Sequence, residues 1–175
     1  MVTLAQAKEH LRVTHDADDA AIALMIDGAY ATLEGRHGLT QRSFRLQEHV
    51  RQVDAWGGLV RLPYPPIVSV DAVTYRGEGG AVVTIPADDY RLDTVAGDGL
   101  AYLRCEGAGP GPDLDTRYPI SIAYTAGYEA VPSDVQGAVL LLVGHAYENR
   151  EAVTDAPARE LPMGVQAVAD RYRVY

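Results

Sequence analysis

The sequence predicts an α+β fold, in which a small antiparallel β region lies between helical segments at both ends of the chain. Apolar residues recur at helical spacing within residues 3–38 and again within residues 132–150. Between these segments, residues 42–126 alternate short β-type runs with Gly, Pro and Asp turn signals. This order favours an N-terminal helix pair, a central antiparallel sandwich or barrel-like sheet, a long C-terminal helix and a short tail, rather than a parallel α/β fold.

The predicted N-terminal helix pair begins with a capping box. Thr3 is the expected N-cap of the first helix, because Gln6 follows it at the spacing that allows reciprocal hydrogen bonds. Asp16 is the expected N-cap of the second helix. Asp18 and Asp19 then lie in the first turn, where the helix dipole favours acids. One apolar face of the second helix contains Ile22, Ile26, Ala29, Tyr30 and Leu33.

Seven short runs make up the predicted β region. Pro63, Pro65 and Pro66 interrupt it and cannot lie in a central strand, since Pro lacks the N–H that a ladder needs. Residues 77–80, Gly-Glu-Gly-Gly, are typical of a hairpin turn. The runs are residues 43–53, 59–62, 67–75, 81–85, 90–93, 100–104 and 119–125.

The predicted helix over residues 132–150 is apolar on nearly every side. Pro132 suits its first position, where a missing N–H costs nothing. Residues 135–146 leave almost no polar face, and such a helix is normally buried all round. In a domain of this size, the pattern indicates burial either between elements of the domain or between subunits.

The chain of 175 residues is close to the size of one domain. We expect residues 1–150 to form that domain, residues 151–160 to be a polar linker, and residues 161–175 to be a short C-terminal segment. The segment opens with Leu-Pro-Met-Gly and continues with apolar residues at i, i+3 and i+7. These apolar residues are Val165, Val168 and Tyr172.

The charge and cysteine content exclude several classes of protein. The sequence contains 15 basic and 24 acidic residues, which gives a net charge of −9. This charge argues against a nucleic-acid-binding surface and against attraction to anionic lipid. The single cysteine, Cys105, excludes an internal disulfide framework and a multi-cysteine zinc site. Neither a long apolar run nor a signal-peptide pattern is present, so we expect no membrane association.

The residues that could act in catalysis or bind a metal do not form a recognisable catalytic or metal-binding motif in the sequence. The five histidines are scattered, and His145, in the apolar helix, is expected to be a core residue rather than a base. Acids at Asp88, Asp89, Asp113 and Asp115 would suit calcium, but solvated turn acids are the favoured interpretation. The sequence therefore predicts no catalytic, cofactor or metal site, and a protein that is not an enzyme.

Tyrosine is the one unusual component of the composition. It contributes eleven residues, against one Phe and one Trp. Tyr combines a large apolar body with a hydroxyl, so it is enriched at interfaces, yet the edges of a half-exposed sheet also favour it. Both interpretations stay open.

Five segments, in order along the chain, resemble one family, the head–tail connector (adaptor or head-completion) proteins of tailed bacteriophages and of phage-derived gene transfer agents. One departure is Arg171, because the family pattern has a Pro two residues before the final Arg. The segments are the opening helix 4–13 with the acid-capped helix after it, Leu-Pro-Tyr-Pro-Pro-Ile-Val-Ser-Val at 62–70, Tyr-Thr-Ala-Gly-Tyr at 124–128 with Val131-Pro132, the apolar helix and its end at 140–151, and Leu-Pro-Met-Gly-Val-Gln-Ala with Tyr-Arg at 161–173.

This resemblance implies a structural protein of the virion, assembled in the bacterial cytoplasm. Such proteins form a ring, usually of twelve copies, beneath the portal protein. The ring extends the DNA channel and contacts a neck or tail protein, either a stopper or a tail terminator. A net negative charge suits a channel that DNA passes without specific binding, because phosphate contacts come mainly from Lys and Arg.

The resemblance also implies that the C-terminal segment docks on the portal, as a helix in a groove would. Val165, Val168 and Tyr172 would be the apolar anchors, with Arg171 and Arg173 as contacts at the rim. The other expected docking residues are Leu161, Pro162 and Met163. The competing interpretation is that the segment folds back and covers the apolar helix of its own domain.

Two other functions stay open at this point. One is a tail-terminator or minor tail protein, which would also form a ring. The other is a β-sandwich module that binds a ligand, such as a carbohydrate, through exposed Tyr side chains.

Overall fold

The computed structural model describes residues 1–77, 79–95, 100–107, 109–110, 114, 119–149 and 161–174. The chain divides into two compact units. The helical unit consists of Met1–Phe44 with Glu129–Tyr175, and the β unit consists of Arg45–Tyr128. Helices and antiparallel strands together confirm the predicted α+β class. The expected linker at 151–160 lies outside the described residues, so the predicted boundaries at 150 and 160 stay predictions.

Four helices lie among the described residues of the helical unit. They are α1 (Leu4–Leu11), α2 (Asp19–Leu33), α3 (Ser133–Glu148) and α4 (Met163–Tyr172). Each contributes an apolar face, because side chains three and four residues apart lie on the same side of a helix. The buried apolar side chains of the four helices are Ala7, Ile22, Ile26, Ala29, Tyr30, Leu33, Val135, Ala138, Val139, Val143, Val165 and Ala169.

The start of α1 is as predicted, but the start of α2 is not. The Thr3 side chain accepts from the Gln6 N–H, and Gln6 Oε1 accepts from the Thr3 N–H, so the capping box is present. The N-cap of α2 is Asp18 instead of Asp16. The reason is a competing ion pair, since Lys8 Nζ lies 2.7 Å from Asp16 Oδ1 and 2.6 Å from Asp19 Oδ1.

In the described part of the β unit, seven strands form two antiparallel sheets. The four-stranded sheet has the order β1-β7-β3-β4, and the three-stranded sheet has the order β2-β6-β5. Every strand lies within or across one of the seven predicted runs. The strands are β1 (Gln47–Val53), β2 (Leu59–Leu62), β3 (Ile67–Arg76), β4 (Val82–Thr84), β5 (Tyr90–Thr94), β6 (Ala101–Cys105) and β7 (Ile120–Ala126).

The two sheets share one apolar core, which confirms the sandwich-like alternative for the β region. Side chains alternate between the two faces of a strand, so β7 buries every second residue. At the core, the Tyr124 hydroxyl donates to the Pro63 carbonyl at 3.0 Å. The fully buried members from both sheets are Leu62, Val73, Ala101, Leu103, Ile120, Ile122, Tyr124 and Ala126.

The structure confirms one predicted turn and shortens one predicted strand. Gly77 and Gly80 form the turn between β3 and β4, with the Gly80 N–H donating to the Gly77 carbonyl at 2.8 Å, as predicted. The run from residue 43 becomes a strand only at Gln47. Phe44 is instead fully buried in the helical unit, where its N–H donates to Glu34 Oε2 at 3.0 Å.

Helix α3 is not buried on all sides within this chain. Val135 and Val139 on one face are fully buried, but Leu141 on another face is 42% exposed. Helices α2 and α4 pack against α3. Burial between elements of the chain therefore covers only part of the apolar surface of α3.

Candidate partner-binding surface

The predicted docking segment forms a helix that packs on the chain's own helix α3. Val165 and Ala169 of α4 are fully buried, and their spacing of four residues puts them on one face. Val168 is only half-buried. The small Ala169 was not singled out from the sequence, although it lies four residues after Val165 at helical spacing.

Tyr172 joins three parts of the helical unit. Its ring meets Phe44 edge to face, with centroids 5.4 Å apart. Its hydroxyl donates to Asp134 Oδ1 at 3.1 Å, while the Arg171 guanidinium donates to Asp134 Oδ2 at 2.9 Å. Arg42 Nε donates to the Tyr172 carbonyl at 2.5 Å. The aromatic contact and the hydrogen bonds together hold the end of α4 against α3 and the loop after α2.

The residues after α4 are held by hydrogen bonds to backbone carbonyls of the same loop. The Val174 N–H donates to the Thr40 carbonyl at 3.0 Å. Arg173 Nε donates to the Leu39 carbonyl at 3.3 Å, and its guanidinium lies 3.7 Å from an Asp170 carboxylate oxygen. The Arg173 side chain therefore contacts residues of its own chain.

Burial separates the eight predicted docking residues into three groups. Val165 is fully buried, and Leu161, Pro162, Val168, Tyr172 and Arg173 are half-buried. Met163 and Arg171 are exposed. The chain therefore has the folded-back geometry, one of the two alternatives drawn from the sequence. Docking of the segment on a partner stays a prediction.

An exposed apolar surface remains where α4 begins beside α3. The side chain of Met163 is 89% exposed, and that of Leu141 is 42% exposed. Gly164 brings the two helices together, since a Cβ at that position would lie 3.1 Å from Leu141 Cδ1. Ala167, one turn after Met163, is also exposed. We call Leu141, Met163, Gly164 and Ala167 the α3–α4 patch. Exposed apolar side chains grouped in this way are typical of protein interaction sites.

Two possible catalytic features of the described residues outside this patch are metal ligation and thiol chemistry. No group of three or more His, Cys, Asp or Glu side chains within them could hold a metal ion. Partial burial raises the pKa of the Cys105 thiol, which disfavours the nucleophilic thiolate. Asp113 and Asp115 lie outside the described part of the chain. Within the described part, no helix has the length and apolar character to cross a membrane.

Part of the chain is similar in sequence to a known protein family. Residues 1–56 match the family model described as phage gp6-like head-tail connector protein. No curated protein matches the chain.

Three solved structures resemble nearly the whole chain. The neck of an empty GTA particle computed with C6 symmetry contains a chain with 28% identity and a TM-score of 0.76, covering 99% of this chain and 90% of that one. A virion of a native gene transfer agent particle gives 29% identity and a TM-score of 0.73, with the same two coverages. The neck of a native GTA particle computed with C12 symmetry gives 26% identity and a TM-score of 0.71, covering 98% and 88%.

Proposed function

We propose that the chain is a structural head–tail connector protein of virion-like particles and not an enzyme, and that it is the adaptor that forms a ring under the portal. The ring extends the DNA channel and joins the capsid to a stopper or tail-terminator protein below. The observation that carries this proposal is the likeness to neck chains over 98–99% of this chain, which includes all four helices and both sheets.

The ring is proposed to contain twelve copies. Support comes from the neck of a native GTA particle, which was computed with C12 symmetry. A closed ring of identical copies uses a heterologous interface, in which one surface of each copy contacts a different surface of the next.

Portal docking through residues 161–175 is the second part of the proposal. Met163 and Arg171 are exposed and can reach a partner while α4 stays on α3. Val165 and Tyr172 face their own helices, so they would contact the portal only if α4 left α3. The α3–α4 patch supports docking in the folded-back position, with Met163 as the apolar anchor and Arg171 at the rim.

Passage of DNA without specific binding is supported by charge pairing on the three-stranded sheet. Arg91 lies 2.9 Å from an Asp93 carboxylate oxygen and 3.5 Å from Glu106, and Arg104 lies 2.6 Å from Asp93. These two guanidiniums lower the pKa of the Asp93 carboxyl, so it stays ionised at neutral pH, and Asp93 together with Glu106 balances their two positive charges. Their paired charge is a weak attraction for a phosphate backbone.

The other candidate functions have less support. A tail-terminator or minor tail protein would form a ring in the tail, whereas two of the three similar structures are of particle necks. None of the three solved structures described above is a carbohydrate-binding protein by its description, and the fully buried Tyr124 of the β unit packs in the core.

The docking proposal predicts that Met163→Asp weakens binding to the portal protein about tenfold or more, since burial of a Met side chain is worth about 1.5–3 kcal/mol and 1.4 kcal/mol is tenfold in Kd. Leu24→Asp is the matched control, because Leu24 is 74% exposed on α2, outside the patch. Binding of both variants is measured by co-sedimentation with portal assemblies. Unchanged binding of Met163→Asp would remove the patch from the portal interface.

A further inference from the structure

The four-stranded sheet has two open edges. Strands β1 and β4 end the order β1-β7-β3-β4, and neither has a further neighbour within the described residues. Strand β4 is short, with three residues, but its edge carries no charge, no Pro and no bulge, which are other common protections against pairing with another chain. Val82 is 64% exposed and Val83 is 42% exposed, so the strand is apolar and accessible on both faces.

Hydrogen bonds within the hairpin identify the backbone groups that point outward from β4. The Ile85 N–H donates to the Val73 carbonyl at 2.8 Å, and the Gly77 N–H donates to the Ala81 carbonyl at 3.0 Å. Hydrogen-bonded pairs alternate with non-bonded pairs along an antiparallel ladder. Val83 therefore faces β3, whereas Val82 and Thr84 direct their N–H and C=O groups to the open edge.

The backbone N–H and C=O groups of β1 that point outward follow from its ladder with β7. The Gly127 N–H donates to the Pro66 carbonyl at 2.9 Å, so the residues of β7 with odd numbers face β3 and those with even numbers face β1. Tyr124 and Ile122 are opposite His49 and Arg51 in the ladder. The alternate residues of β1 consequently direct their backbone groups outward. They are Glu48, Val50 and Gln52.

Strand direction allows these two edges to pair with each other across copies. All three ladders of the sheet are antiparallel, so β1 and β4 run in opposite directions. If β4 of one copy adds to β1 of the next, the antiparallel order continues without interruption. The two edges are different surfaces of one chain, which is the heterologous arrangement that closes into a ring.

We propose that neighbouring copies join by pairing β4 of one copy with β1 of the next, which makes the four-stranded sheet continuous around the ring. This proposal rests on the proposed ring function and names its subunit contact. Twelve copies of four strands at a spacing of about 4.8 Å give a sheet about 230 Å around, with a radius of about 37 Å. A ring of that radius is open at its centre, as a DNA channel requires.

Cross-linking tests the pairing directly. The variant Val50→Cys with Thr84→Cys, in a Cys105→Ser background, puts one thiol on each edge for a short bismaleimide linker. On portal-bound chains we expect covalent ladders longer than dimers, because each copy has two different neighbours. The two single-cysteine variants are the controls, and neither should cross-link. Dimers alone would indicate two-fold pairing and would overturn the proposal, as would no product at all.

A backbone substitution gives a second test. Thr84→Pro removes an outward N–H, which an edge strand tolerates without loss of its own ladder, so the Tm should stay unchanged. Thr84→Ala keeps the N–H and serves as the matched control. We expect ring formation to need at least about tenfold more Thr84→Pro protein than wild type, and equal amounts of Thr84→Ala and wild type. Equal assembly by Thr84→Pro would count against the pairing.

Portal binding tests the proposed function and cross-linking tests the pairing, so a failure of one can be distinguished from a failure of the other. Wild-type chain that does not bind the portal would overturn the proposed function. Cross-linking of the double-cysteine variant alone, at high concentration, then decides the pairing, since ladders support it and their absence contradicts it. Portal binding by chains whose edges do not cross-link would leave the function standing and overturn the pairing.

Discussion

Val165 has the most direct effect on where the C-terminal segment lies. Its side chain is fully buried between α4 and the rest of the helical unit, together with that of Ala169. Burial of apolar surface is the main favourable contribution to such packing. The contacts of Tyr172 with Phe44 and Asp134 then fix the far end of the helix. Removal of residues 161–175 would therefore remove part of the helical core as well as the exposed patch.

Val165→Ala is predicted to lower the free energy of unfolding by about 2 kcal/mol, from the lost burial of two methyl groups and the cavity left behind. Met163→Ala is the control within the same helix and should leave stability unchanged, because Met163 is 89% exposed. Chemical denaturation of both variants measures the difference. Equal stability of the two variants would show that α4 does not pack on α3 in solution.

Some residue contacts could not be predicted from the sequence because their partners are far apart along the chain. Tyr172 was expected at an interface, and its Asp134 partner lies 38 residues earlier. The Tyr147 hydroxyl similarly donates to Asp18 at 2.6 Å, across 129 residues. Helical spacing identifies the face of α4, but the surface that covers this face depends on tertiary packing.

At the scale of elements, an ion-pair cluster joins α1 to the loop before α2 and to its first residue. Lys8 Nζ contacts both Asp16 and Asp19. Hydrogen bonds from Lys8 lower the pKa of the Asp16 carboxyl below 3.8, and the two acids raise the pKa of Lys8 above 10.5. The cluster replaces the predicted side-chain cap at Asp16 with a bridge between two helices.

Lys8→Met is predicted to lower the Tm at pH 7 and to have a smaller effect as the pH falls below about 4. The folded-state pKa of Asp16 is depressed, so its contribution is present above the unfolded value of 3.8 and is lost as the pH falls through the folded value. The Lys8 contribution is present below pH 10.5 and does not offset this loss. Arg36→Met, an exposed change in the same unit, is the control. A Tm difference that is the same at pH 3 and pH 7 would exclude this bridge as its cause.

Strands were predictable as elements, whereas their order in the sheets was not. Alternation of apolar and polar residues located β7, and Gly-rich turn chemistry located the hairpin of β3 and β4. Strand β7 lies between β1 and β3, although it is the last strand in the chain. Such long-range pairing depends on a shared core, which local patterns do not specify.

The apolar sequence of helix α3 likewise did not specify which of its surfaces would be covered. Its apolar character indicated either burial within the domain or burial between subunits. The exposed Leu141 shows that α2 and α4 do not cover it fully. The remaining surface lies beside Met163, a residue that the resemblance had already placed in the docking segment.

For the whole molecule, the acidic charge agrees with the proposed role beside DNA without binding it. The net charge of −9 argues against a phosphate-binding surface, and the described Arg91 and Arg104 are paired with Asp93. The resemblance to head–tail connector proteins, which is spread along the chain, is confirmed by the family match over residues 1–56 and by the neck structures. Composition alone indicated only a soluble acidic domain.

The position of the chain in an assembled particle is the most direct test of the connector role. Single-particle cryo-electron microscopy of particles that carry this chain measures its location and copy number. We expect twelve copies in a closed ring between the portal and the next neck or tail protein, with the α3–α4 patch against the portal and the β4 edge of each copy on β1 of its neighbour. Density for the chain within the tail, or its absence from the neck, would contradict the role of a head–tail adaptor.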